Sequence, residues 1–90
     1  MDFEWDDAKA AINYRKHRVS FDEAATCFDD PFVIIYYDQE HSVSEDRWIA
    51  IGISDRDRLI VVSHAYPESG MRIISARRAT AIEVSEYEER

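Results

Sequence analysis

The sequence predicts a single α+β domain in which N-terminal helices and a C-terminal helix pack on an antiparallel β-sheet. Three observations carry that prediction. Apolar residues recur at helical spacing near both ends of the chain, β-branched and aromatic runs fill its middle, and the turns joining the last runs are too short for any but antiparallel neighbours. At 90 residues the chain suits one core; a domain of this size removes about 60–65% of its unfolded surface from water.

Residues 3–5 form a short strand, and Asp6 is a natural N-cap for a first helix over about 7–17. Ala8, Ala11, Ile12 and the stem of Arg15 share one face of that helix, expected to meet the core, while Lys9, Asn13 and Lys16 make a neighbouring basic stripe with His17 beside it. Ser20 and Glu23 stand at capping-box spacing at the start of a second helix, which ends near Asp29-Asp30-Pro31. Residues 32–37 read as a strand and 38–46 as a polar loop. Strands over 47–54, 59–66 and 71–78 follow as a meander, joined by the turns 55–58 and 67–70. Thr80 and Glu83 repeat the capping-box spacing at the head of a last helix, about 81–89. The layering expected is helices over one sheet face, with the other face partly free. Simple register puts Arg47, Tyr66 and Arg72 at one end of the sheet and Arg78 at the other.

Composition narrows the function. Hydrophobic residues make up 46% of the chain, which is the profile of a folded domain. A net charge of −8 argues against a surface that binds nucleic acid throughout. The charge is uneven, however: bases gather within residues 9–18 and 72–78, so a small basic site on an acidic body fits the sequence. The single cysteine, Cys27, excludes an internal disulfide. No apolar run approaches a membrane span and the acidic start lacks signal-peptide features, so the expectation is a cytoplasmic protein.

Few catalytic motifs fit. With two glycines there is no phosphate loop, dinucleotide fingerprint or nucleophile elbow. Ser63 and His64 are adjacent on a strand and point to opposite faces. The acids of the 38–46 loop, with His41, have no metal-loop spacing, so neither a metal nor a cofactor is expected. The paired Arg77 and Arg78, where a strand gives way to a helix, read two ways: as a grip for phosphate, or as surface partners for acids.

Phe3-Glu4-Trp5-Asp6, then Lys9, Asn13 and Lys16-His17, Val19-Ser20-Phe21 with Glu23-Ala24, Asp46-Arg47 leading to Ile51-Gly52, and the run Arg72–Thr80 with Glu83 together resemble the BrnT family of type II toxins. The resemblance spans nearly the whole chain. It implies a RelE-like ribonuclease fold, cleavage of RNA, and neutralisation by a BrnA-like ribbon-helix-helix antitoxin that binds operator DNA.

RNA cleavage without a metal drives the ribose 2′-OH onto the adjacent phosphate, which calls for cations at the phosphoryl oxygens and groups that move two protons. By position in the family pattern, Arg47 and Arg77 are assigned to phosphate and transition-state contacts with Lys16 beside them. Lys9, Arg72 and Arg78 are RNA-binding candidates. His17 and His64 are proton-transfer candidates, against the alternatives of a helix C-terminal cation and a satisfied strand histidine. The strand-to-helix junction is expected to hold Arg77 beside Arg47 and the basic stripe. Residues 81–86 contribute only acids where typical members carry bases. That departure motivates a second reading: a non-catalytic acidic module that holds a basic antitoxin in a repressor complex.

Overall fold

A computed structural model describes residues 2–89. Strand β1 (Phe3–Glu4) leads into helix α1 (Asp7–His17) and the short helix α2 (Phe21–Thr26), which runs on as a 3₁₀ turn, Cys27–Asp29. Strands β2 (Ile34–Tyr37), β3 (Trp48–Ile53), β4 (Leu59–Ala65) and β5 (Met71–Arg78) follow, then helix α3 (Ala81–Glu88). The local signals hold where they depend on neighbours in sequence. Asp6 accepts the Lys9 N–H at 3.0 Å, and Thr80 and Glu83 form a reciprocal capping box, each cap being worth about 1 kcal/mol.

The sheet is mixed, which corrects the expectation of a purely antiparallel one. Its order is β1-β5-β4-β3-β2, and β1 lies parallel to β5, Phe3 opposite Met71 and Glu4 opposite Arg72. A two-residue strand carries no turn signal for its direction; most of the chain separates it from β5, as a parallel neighbour requires. Layering differs too. Val19, Phe21, Ala24 and Cys27 pack with Ala50, Ile60, Val62, Ile73 and Ala76 on one face, under α1 and α2. On the other face Tyr87 of α3 packs with Ile51 and Val61. The run Ile49-Ala50-Ile51-Gly52-Ile53 has no polar side chain on either face, so this part of β3 needs cover on both.

Strand β2 starts later than expected because Asp30 turns the chain before it, its Oδ1 accepting the Phe32 N–H at 2.9 Å. The Oδ2 atom of Asp30 accepts the Ile53 N–H at 2.9 Å and the Tyr87 hydroxyl, tying α3 to the 3₁₀ end of α2. Gly52 lets β3 pass that end closely: a Cβ there would lie 2.8 Å from the Cys27 carbonyl oxygen.

Because β1 is so short, the rest of β5 would be an open edge. Asn13 closes it. This buried side chain donates to the Ala76 carbonyl at 2.9 Å and to the Val19 carbonyl at 3.0 Å, and accepts the Ala76 N–H at 3.1 Å. Asn13 thus belongs to the framework, whereas the sequence grouped it with the lysines; Ala8, Ala11 and Ile12, expected to meet the core, are exposed instead. Asn13→Leu leaves these backbone groups buried without partners and is expected to cost about 2–3 kcal/mol, measured as a lowered urea midpoint.

Candidate functional site

Strand register decides which charged side chains share a face. Ala65 of β4 pairs with Arg72, while Trp48 pairs with His64, so Arg47, one residue before β3, flanks β4 on the side away from Arg72. The side chains of Arg47 and Arg72 converge on Glu45, at the end of the 38–46 loop. Arg72 Nη2 reaches both carboxylate oxygens, and Arg47 Nε lies 3.7 Å from Oε1. That Nε is buried and has no hydrogen-bond partner. Lys9 and Asp6 line the same hollow of about 80 Å³, and Arg72, Arg47 and Lys9 together hold the Glu45 carboxyl below the usual carboxylate range.

A neighbouring hollow of about 240 Å³ is lined by Lys9, Lys16, His17, Ile12, Ile74 and Ser75. Lys9 and Ile74 border both hollows. Lys9, Lys16, His17, Arg47 and Arg72 therefore form one basic track between α1 and the sheet end. The α1 helix supplies three of these side chains at helical spacing, and the strand ends supply the arginines. His17 is half-buried in the last turn of α1.

Arg77 joins the same sheet face at a distance. Its β4 partner is Val61, four residues from Ala65, and the bulge at Ser63/His64 keeps both arginines on one side. Four strand residues span about 13 Å, so the expected seat of Arg77 beside Arg47 is not what the structure shows. Glu83 holds Arg77 instead, its two oxygens taking Nη1 at 2.7 Å and Nη2 at 2.8 Å. The same carboxylate accepts the Thr80 N–H, and with Arg77 as the main cause its pKa falls to about 2. Tyr36, opposite Ile49 on this face, also senses Arg77: burial and then Glu86 and Glu83 push its phenol up, and Arg77 opposes them.

The two remaining candidates lie elsewhere. Arg78 pairs with Ile60, on the opposite face from Arg77. His64 is fully buried on the α2 side of the sheet, edge-on to Phe28 with ring centroids 5.0 Å apart. Its Nδ1 lies 3.2 Å from the Val62 carbonyl oxygen and its Nε2 3.0 Å from the Tyr66 hydroxyl. The partners fit a neutral ring that donates from Nδ1 and accepts from Tyr66, and burial lowers its pKa. The sheet separates it from the basic track.

Sequence reasoning weighed Glu45 only as a metal ligand; its placement two residues before Arg47 was the single hint of its partners. The loop acids have other work: Asp38 pairs with His41 at 2.9 Å and Asp46 accepts the Tyr37 hydroxyl at 2.9 Å. Among the described residues, no three or more His, Cys, Asp or Glu gather as a metal site would need.

Clustered guanidinium and ammonium groups around one carboxylate make a pocket for an anion with paired oxygens. The model of the family described as the ribonuclease toxin, BrnT, of type II toxin-antitoxin systems matches residues 5–83. The chain belongs to the BrnT family. Every member of the basic track and Arg77 fall within the matched span. No curated protein matches the chain. BrnT proteins are ribonuclease toxins, so RNA is the substrate against which these cations are to be read, and an antitoxin is the partner that a type II system implies. No helix among the described residues is long and apolar enough to cross a membrane.

Proposed function

We propose that this BrnT protein cleaves RNA without a metal, by attack of a ribose 2′-OH on the adjacent phosphate, on the sheet face bounded by α1 and Arg77. The observation that carries the reading is the convergence of Arg47, Arg72 and Lys9 on a single carboxylate, with a buried Arg47 Nε that makes no hydrogen bond. Arg47 and Arg72 grip the phosphate, and Arg77 meets charge farther along the strand. Lys16 adds positive potential beside His17, which takes the proton of the attacking hydroxyl. The departing 5′-oxygen takes a proton from solvent water, leaving a 2′,3′-cyclic phosphate and a 5′-hydroxyl. His64, across the sheet, has no role in this scheme beyond packing and orienting Tyr66; Arg78 has none in the phosphate contacts.

The RelE-like fold accords with two N-terminal helices, an antiparallel meander and a closing helix. The partner in this reading is a BrnA-like ribbon-helix-helix antitoxin, through which alone the pair reaches operator DNA in the cytoplasm. The acidic remainder of the surface suits a basic antitoxin, charge guiding the encounter more than setting affinity. In the test, purified protein is given RNA in excess chelator, beside the same oligonucleotide with 2′-deoxyribose throughout. Cyclic-phosphate ends from RNA alone are the expected result. Cutting of the deoxy strand, or intact RNA, would overturn the mechanism, and intact RNA would favour the non-catalytic module.

A further inference from the structure

The ribonuclease reading leaves one feature of the site unexplained: its two arginines already have an anion. Arg72 is engaged by both oxygens of Glu45, and the same carboxylate stands 3.7 Å from Arg47 Nε. A carboxylate and a phosphodiester present the guanidinium fork with the same pattern, two oxygens sharing one negative charge. Glu45 and an RNA phosphate therefore compete for one set of donors.

We infer that Glu45 is an internal phosphate mimic, a gate that RNA must displace before Arg47 and Arg72 can bind it. The inference rests on the ribonuclease reading above. The loop around Glu45 is built for such an exchange. Its base is fixed: the Asp38 N–H donates to the Arg47 carbonyl at 2.9 Å, and Ser42 Oγ donates to the Asp38 carbonyl at 2.6 Å while accepting the Arg47 N–H at 2.9 Å. Glu45 itself is about one-third exposed, so rotation about its side-chain bonds frees the arginines without opening the loop. Asp6, the other acid at the hollow, stays at the α1 N-cap, where it holds the Lys9 N–H. The gate lowers affinity for any RNA that brings a single weak contact, and lets through a strand that engages the whole track.

The test uses 2′-O-methyl RNA, which cannot attack its own phosphate, with binding followed by fluorescence anisotropy. Glu45→Gln and Glu45→Ala are each expected to bind about fivefold tighter than wild type at low salt, the upper end of what an exposed ion pair is worth, with the gain shrinking as salt rises. With cleavable RNA, the same variants lower KM and leave kcat unchanged, since only a uniform binding cost has gone. Weaker binding or a fall in kcat would mean that Glu45 positions the arginines, and would overturn the gate. Equal binding by all three proteins would also overturn it, leaving the ribonuclease reading in place. No binding by any of them would bring down that reading and the gate together.

Discussion

Arg47→Ala is expected to lower the rate of RNA cleavage by about 100- to 1,000-fold, the usual loss when one preorganised donor to a developing anion is removed. Arg47 is the sharpest choice among the arginines because its buried Nε makes no hydrogen bond, the nearest Glu45 oxygen lying 3.7 Å away, while Arg72 and Arg77 are each hydrogen-bonded to a glutamate. A buried donor that makes no hydrogen bond costs stability on its own account, and a phosphate oxygen closer than the Glu45 carboxylate would satisfy it. Arg78→Ala is the control. It points to the other face, and a surface change worth about 0.5 kcal/mol at most alters the rate by roughly twofold. Single-turnover cleavage of a labelled RNA separates the two.

Arg58→Ala is expected to destabilise the protein by about 3–5 kcal/mol, because it strands a buried charge. Glu23 is 4% exposed, and its carboxylate takes Arg58 Nε at 2.9 Å and the Ser54 hydroxyl at 2.6 Å. Arg58 also donates to the Arg18 carbonyl at 3.0 Å, so the turn between β3 and β4 is fastened to the start of α2. In a domain this small the loss corresponds to a drop in Tm of roughly 12–40 °C. Replacing both partners, Glu23→Met with Arg58→Met, restores most of it, since a packed apolar pair is close to neutral.

The pair also sets an acid limit. The Arg58 guanidinium holds the Glu23 carboxyl below its ordinary 4.5, so the folded pKa lies under the unfolded one. Its contribution is complete above about pH 4.5 and is lost as pH falls through the folded value. The Arg77 contact acts in the same direction on Glu83, over the window from 4.5 down to about 2. Urea midpoints measured between pH 6 and pH 3 should therefore fall less steeply in the double methionine variant than in wild type.

These interactions show which parts of the molecule were legible in the sequence. Caps at Asp6 and Thr80 were, because they are settled within three or four residues. The placement of Arg47 with Arg72 at one sheet end followed from turn lengths alone. The partner of Glu23 was not legible: its spacing to Ser20 suggested a capping box, and Ser20 does accept the Glu23 N–H at 3.0 Å, yet the carboxylate turns to Arg58, 35 residues away. The parallel setting of β1 and the far-side packing of α3 were hidden for the same reason, since both depend on contacts that no local pattern encodes. The paired arginines were separable in principle, because alternation sends Arg77 and Arg78 to opposite faces. The acids after them, which read as a weakened RNA surface, include the residue that anchors Arg77.

The central claim is that RNA lies along the face carrying Arg47, Arg72 and Arg77. Side-chain guanidinium NMR signals, recorded while 2′-O-methyl RNA is titrated into the protein, test it most directly. The account predicts that the Arg47 and Arg72 Nε–H signals move first and furthest, Arg77 follows, and Arg78 stays in place. Shifts confined to Arg78, or to the Trp48 and Tyr66 side of the sheet with Arg47 and Arg72 unmoved, would contradict it.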